Sequence, residues 1–300
     1  MREVVKFPVL PAITTLDFSS PADVCALVRE RCRHMFGVQD DAYINEAMDA
    51  IKDLFEGRHP AYQPMDTAYH DISHTLQATL CLAELLNNRQ HADEEPSISP
   101  WDFKRTLFAV LFHDIGYLKT RDDTDGTGAK YTHVHEKRSC SVVEDYLLQH
   151  GWHEDDIVFV QNLISATGPR ADLGKIPFRS KIERAMGQAV CTADYVGQMS
   201  DPQYPDKLEV LFQEFEENFR YQELPRSEWP FASYEALLRA TPDFWSRFVH
   251  YKMNVECGGA WLFLENPVTG ENSYLLAIER NMSVISRRIA RLDRQSQVAS

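Results

Sequence analysis

The sequence lacks any apolar run long enough to cross a membrane. Its longest uninterrupted apolar stretch is Leu107–Phe112, far short of the roughly 20 residues that a transmembrane helix requires. The first residues are interrupted by Pro8 and Pro11 and contain no long apolar segment of the kind that secretory signals carry. We therefore expect no signal peptide, no membrane partner and a cytoplasmic location.

The sequence is also poor in the residues that mark unusual architectures. Its six cysteines form no Cys-x-x-Cys pair and no short disulfide-type pattern, which predicts buried free thiols in a reducing compartment. Glycine and proline number only 13 and 15 in 300 residues, which excludes collagen-like and low-complexity chains.

Basic residues are in the minority, with 31 Lys and Arg against 45 Asp and Glu and a net charge of −14. Such a chain repels a phosphate backbone, so broad binding to extended nucleic acid is excluded. The charge remains compatible with a small anionic substrate, provided that a metal ion and a few local cations hold it.

What the sequence contains is helical periodicity, without convincing strand alternation and without repeats of 20–50 residues. The periodicity predicts helices over 21–36, 41–55, 69–88, 100–113, 132–149, 154–166, 178–199, 205–219, 233–239, 241–256 and 273–294. Residues 119–131 are rich in Asp, Thr and Gly and predict a mobile surface loop. We predict an all-α protein in which residues 1–300 form one helical domain.

Most of the 11 histidines lie between His70 and His153. Within this window, His70 and His74 are four residues apart, so on a helix they would share one face. Two imidazoles on one face can share a metal ion, can divide into a ligand and a proton donor, or can form a structural hydrogen-bonded pair.

Two further patterns place aspartates next to apolar helices. His113-Asp114 follows the apolar stretch Leu107–Phe112, where burying both groups without partners would be costly. A divalent cation would remove that cost, because it pairs with the carboxylate and accepts an imidazole lone pair. Asp194 lies among small and apolar residues of a predicted helix and would complete such a site, or else serve as a cap or an ion-pair member.

The order of His74, His113-Asp114 and Asp194 resembles the H…HD…D signature of the HD-domain metal-dependent phosphohydrolase superfamily. The string YHDISHT at residues 69–75 is similar to the YHNxxHA segment of cyclic nucleotide phosphodiesterases. The chain departs from the phosphodiesterase pattern at Asp71, where those enzymes have Asn, and at Tyr117, where their HDxxH motif has a further His. The resemblance spans residues 60–200 approximately, with a C-terminal helical extension after it at 201–300.

The resemblance implies a helical bundle with a divalent metal ion cradled between helices. Its ligands would be His74, His113, Asp114 and Asp194, and His70 would be the general acid. Mixed imidazole and carboxylate ligands suit Mn, Fe, Co, Ni or Zn, and Mg less well, and the sequence does not select one.

A second, weaker metal ion is expected beside the first. His135 resembles the added histidine of two-metal members of the superfamily, with His133 as the alternative. A further histidine would be expected near Thr167, where the chain has none. We therefore predict one tight ion and one weak ion that Asp114, His135 and water complete.

These residues together predict a metal-dependent phosphohydrolase that acts on a small phosphomonoester or phosphodiester, such as a nucleotide. Arg170, Lys175 and Arg179 could clamp a phosphate, and Gln198 would face the pocket one turn after Asp194. Two alternatives remain open: a catalytically silent HD module that binds a nucleotide for signalling, and a di-iron HD-type oxygenase, which would need more histidines.

Overall fold

Polar caps determine where several helices of this protein begin. Ser20 and Ser99 each accept a hydrogen bond from the first helical turn, and a proline follows each of them at the first helical position. Proline is favoured there because its missing N–H would have no partner within the helix. Asp71 caps another helix by accepting a hydrogen bond from the backbone N–H of His74.

The computed structural model describes residue 18 and residues 20–37 and 41–298. In this part of the chain the structure is all-α and contains no β-sheet, which confirms the predicted fold class. The ten α-helices of the described residues are α1 (Pro21–Phe36), α2 (Ala42–Phe55), α3 (Ile72–His91), α4 (Pro100–Phe112), α5 (His135–Gln149), α6 (Glu154–Ile164), α7 (Lys181–Ser200), α8 (Tyr204–Tyr221), α9 (Tyr234–Asp243) and α10 (Ser273–Val298).

Helix α3 lies at the centre of the bundle and packs against α1, α4 and α7. From His74 to Ala83 every residue of α3 is buried, so this helix has no solvent face along that stretch. Helix α10 packs on α7 and α9, and α8 covers the loop that ends at Tyr131. The first turn of α3 and the middle of α7 consequently meet inside the protein.

Several segments differ from the sequence-based prediction. The helix expected from Tyr69 begins only at Ile72, because Asp71 serves as its cap. The helix expected over 241–256 is instead the end of α9 followed by two wide π-type turns, Phe244–Val249 and Lys252–Glu256. Pro242 lies within α9 just before them, where it lacks the N–H that would continue the regular hydrogen bonding.

The segment predicted as a mobile surface loop, 119–131, is firmly attached at both ends. Lys119 and Lys130 are buried, and their ammonium groups donate to the carbonyls of Gly126 and Asp125. Lys130 also pairs with the carboxylate of Asp123. Residues 120–126 between these lysines are exposed or half-buried, as the polar composition predicts, but the composition does not reveal the internal cation–carbonyl contacts.

None of the six cysteines, all of which lie in the described part of the chain, forms a disulfide, and all but Cys140 are buried. Within the described residues, none of the helices combines the length and apolarity that crossing a bilayer requires.

Shortening a buried side chain at the centre of α3 should destabilise the whole bundle. Leu82 is 1% exposed, whereas Leu148 on α5 is 54% exposed. We expect Leu82→Ala to lower the free energy of unfolding by about 2–5 kcal/mol, since it leaves a cavity in the core. Leu148→Ala is the matched control and should change it by less than about 0.5 kcal/mol. Urea unfolding measures both; equal losses would contradict the central position of α3.

Candidate metal centre

Two imidazoles and two carboxylates converge where α3, α7 and the end of α4 meet. Nε2 of His74 lies 3.0 Å from Oδ2 of Asp114 and 3.3 Å from Oδ1 of Asp194. Nε2 of His113 lies 3.1 Å and 3.5 Å from the same two oxygens. The two Nε2 atoms are 3.3 Å apart, and all four side chains are buried.

The tautomers of two histidines are fixed by backbone carbonyls. Nδ1 of His113 donates to the carbonyl of Val110 at 2.7 Å, and Nδ1 of His135 donates to the carbonyl of Thr132 at 2.7 Å. Because a carbonyl only accepts, each ring carries its proton on Nδ1 when it is neutral. Each Nε2 therefore presents its lone pair to the cluster, as metal-binding histidines do.

The histidines and aspartates of the cluster shift each other's pKa values through their opposite charges. Burial alone would lower the pKa of His74, but the carboxylates of Asp114 and Asp194 outweigh it and raise the pKa to about 9. Burial would likewise raise the pKa of Asp194, but His113 and His74 outweigh it and hold the pKa well below its usual range.

The donor set fits a divalent metal ion. Oδ2 of Asp114 is buried and accepts no hydrogen bond, although both Nε2 atoms lie about 3 Å away. Ligands placed about 2.0–2.2 Å from one ion lie roughly 3.0–3.5 Å from each other, which is the spacing seen between these atoms. Within the described residues, His74, His113 and Asp114 thus form a group that could hold a metal ion.

Helix α5 fixes the turn that carries His113 and Asp114. The hydroxyl of Ser139 donates to the carbonyl of His113 and accepts the N–H of Gly116. Arg138 donates to the carbonyls of Gly116 and Leu118. A Cβ at Gly116 would lie 2.0 Å from the carbonyl oxygen of His135, so only glycine allows α5 to approach this closely.

His70 stands beside the cluster and is paired with a buried acid. We expected His70 and His74 to share one face of a helix, but His70 precedes the first residue of α3. The two rings nevertheless lie 5.6 Å apart. Nδ1 of His70 donates to Oε2 of Glu214 at 2.6 Å, and Oε1 of Glu214 accepts the N–H of Tyr69. Glu214, on α8, thus fixes the orientation of His70.

His135, the predicted ligand of the second metal ion, also lies next to Asp114. Nε2 of His135 is 3.4 Å from Oδ1 of Asp114, which is the oxygen that faces away from His74 and His113. The ring of Tyr117 lies nearly parallel to His135 and to His70, with centroids 4.6 Å and 4.5 Å apart. Burial, together with Asp114 and Glu214, raises the pKa of Tyr117 well above its usual value.

Gln198 links the cluster to the segment before α3. Its amide nitrogen donates to Oδ1 of Asp194 at 3.1 Å, and its amide oxygen accepts from the hydroxyl of Tyr69 at 2.9 Å. Gln198 therefore positions Asp194 in this structure, and its predicted contact with substrate stays a prediction.

The remaining predicted residues lie outside the cluster. Arg170, Lys175 and Arg179 are exposed; Lys175 pairs with Asp172 and Arg179 with Asp155. His133 contacts the amide of Asn218 on α8. The hydroxyl of Thr167 donates to the carbonyl of Ile164.

Sequence reasoning missed Glu214 and Ser139. In the sequence Glu214 is one of several acidic residues on an amphipathic helix, and nothing separates it from Glu216 and Glu217. Only the packing of α8 shows that Glu214 is buried against His70.

Comparison with known proteins identifies the family of this chain. Residues 60–255 match the family described as Npun_R2479-like. The chain belongs to the Npun_R2479-like family. No curated protein matches it.

Among solved structures, this Npun_R2479-like protein is similar to the phosphodiesterase domain of the RhoPDE fusion protein from the choanoflagellate Salpingoeca rosetta. The identity is 16%, each chain is covered to 95%, and the TM-score is 0.58. At this identity the similarity shows the fold alone. The chain therefore shares the helical fold of that domain, and its group of His74, His113 and Asp114 could hold a metal ion.

Adding a divalent metal should stabilise the protein, because the ion binds the folded cluster and not the unfolded chain. At about 100 times its Kd, manganese should raise the free energy of unfolding by about 2.7 kcal/mol. Asp114→Asn should abolish this gain, and the exposed Asp122→Asn should retain it. Urea unfolding with and without manganese measures the effect; an equal gain in Asp114→Asn would contradict the site.

Proposed function

We propose that this chain is an HD-type metal-dependent phosphohydrolase that hydrolyses a small phosphomonoester or phosphodiester. The observation that carries the proposal is the buried cluster of His74, His113, Asp114 and Asp194 at the centre of a phosphodiesterase-like helical fold. The net charge of −14 favours a small substrate over an extended nucleic acid, since a long phosphate backbone would be repelled.

The four clustered residues would hold the first divalent ion, through both Nε2 atoms and one oxygen of each carboxylate. When bound, such an ion lowers the pKa of a coordinated water and polarises a phosphoryl oxygen. The protein contributes fixed donor positions, since the carbonyl of Val110 orients His113 and the amide of Gln198 orients Asp194.

His70 is suited to donate a proton to the leaving oxygen. Oε2 of Glu214 accepts a hydrogen bond from Nδ1–H of His70, which fixes the ring orientation and leaves Nε2 as the atom available to a substrate. The parallel ring of Tyr117 limits movement on one side of His70. A histidine held this way provides general acid catalysis, which contributes about 10²–10⁴-fold to the rate.

The His70–Glu214 pair favours an enzyme over a catalytically silent nucleotide-binding module. A binding module needs ligands for the phosphate but gains nothing from an acid fixed behind a histidine that is not a metal ligand. A di-iron oxygenase is less well supported, because Thr167 occupies the position where a further histidine would be expected and its hydroxyl is bound to Ile164.

The phosphate clamp predicted from the sequence is still a proposal. Lys175 and Arg179 form exposed ion pairs, which are weak and easily exchanged for a phosphate. Arg170 is exposed as well. Any of the three could contact a substrate at the rim.

Replacing His70 should slow the reaction without removing the metal. We expect His70→Ala to reduce kcat by about 10²–10⁴-fold on an alkyl phosphate. The loss should be much smaller on p-nitrophenyl phosphate, whose leaving group needs no proton. Steady-state kinetics with elemental analysis tests this, with the exposed His153→Ala as control. Equal losses on both substrates, or loss of metal, would refute the role.

The second ion should depend on His135. We propose that Oδ1 of Asp114 and Nε2 of His135 hold it together with water, so it should be weaker than the first. His135→Ala should then leave one tight ion per chain and remove the weak one in calorimetric titration with manganese. His133→Ala is the matched control and should retain both. Loss of the weak ion in His133→Ala alone would place the second site on the other histidine.

A further inference from the structure

Tyr69 donates two hydrogen bonds, and each leads to a different part of the proposed site. Its backbone N–H donates to Oε1 of Glu214 at 2.6 Å, and Glu214 is the residue that fixes His70. Its hydroxyl donates to Oε1 of Gln198 at 2.9 Å. Tyr69 itself is buried, so its backbone and its ring are both held in place inside the protein.

The neighbours of Gln198 fix the direction of the hydrogen bonds around its amide. The amide nitrogen lies 3.1 Å from the backbone carbonyl oxygen of Asp194 and 3.1 Å from Oδ1 of the same residue. A carbonyl and an ionised carboxylate only accept hydrogen bonds, so the nitrogen must face Asp194. The amide oxygen consequently faces Tyr69, whose hydroxyl is the donor.

The amide of Gln198 acts on the oxygen that would bind the first metal ion. Oδ1 of Asp194 is the carboxylate oxygen that faces the Nε2 atoms of His74 and His113. Gln198 is only half-buried, so its amide can turn toward water unless a group inside the protein holds its oxygen. The hydroxyl of Tyr69 provides that contact.

We propose that Tyr69 is a positioning residue for the first metal ion: its hydroxyl holds the Gln198 amide against Asp194, which then presents Oδ1 to the ion. The inference rests on the metal site of the proposed function. It assigns the affinity of that site in part to a side chain two hydrogen bonds away from the ligand atom. Groups that orient metal ligands typically change metal affinity by about 10- to 100-fold when they are mutated.

Tyr69→Phe tests the proposal, because it removes the hydroxyl and keeps the backbone N–H that binds Glu214. Tyr195→Phe is the matched control, since Tyr195 follows Asp194 directly and its buried hydroxyl makes no hydrogen bond within the described residues. Manganese would be titrated calorimetrically into each protein at a temperature where circular dichroism shows all of them folded. The metal-free Tm of each variant reports its structural cost separately.

A double-mutant cycle separates positioning from a general loss of packing. Gln198→Met keeps the length of the side chain but removes the amide, so it should weaken manganese binding about as much as Tyr69→Phe does. Because the hydroxyl acts through the amide, Tyr69→Phe should change the affinity by less than about 2-fold in the Gln198→Met background. A purely structural effect of Tyr69 would instead add to that of Gln198.

Tyr69→Phe should weaken the tight manganese site by about 10-fold, and Tyr195→Phe should leave it unchanged. Unchanged affinity in Tyr69→Phe overturns the proposal, and so do additive effects in the cycle or a wild type that binds no manganese. Hydrolysis of a panel of phosphomonoesters and phosphodiesters by the wild type is measured in parallel. Hydrolysis with unchanged affinity in Tyr69→Phe refutes the positioning role alone, whereas weakened affinity without any hydrolysis refutes the proposed function alone.

Discussion

Two carboxylates and two imidazoles share one small buried space, and the rest of the structure depends on how that arrangement is stabilised. Removing such charges from water is costly unless they are paired. His74 and His113 pair with Asp114 and Asp194, yet Oδ2 of Asp114, which both rings approach, accepts no hydrogen bond. A divalent ion is the simplest group that satisfies all four donors at the spacing observed.

The helices are arranged to maintain this cluster. The buried face of α3 packs along α7, which brings His74 to Asp194. Helix α5 binds the turn after α4 through Ser139, and α8 supplies Glu214 behind His70. Backbone carbonyls and amides of these helices thus hold the charged side chains, so the packing of the fold sets the donor positions of the site.

The sequence predicts local features better than contacts between distant segments. The adjacency of His113 and Asp114 is visible in a short string, and the structure brings this pair together with His74 and Asp194. Glu214 and the buried lysines of the loop before α5 could not be recognised, because their burial depends on which helix covers them. The π-type turns after Asp243 were missed because the helical periodicity of the sequence continues through Pro242. That periodicity does not distinguish π-type turns from α-helical ones.

X-ray absorption spectroscopy of the zinc-loaded protein tests the central claim most directly. The account predicts a single shell of nitrogen and oxygen ligands at about 2.0–2.2 Å, with the outer scattering of two imidazoles. Sulfur scattering at about 2.3 Å, or no zinc retained after exchange into metal-free buffer, would contradict it.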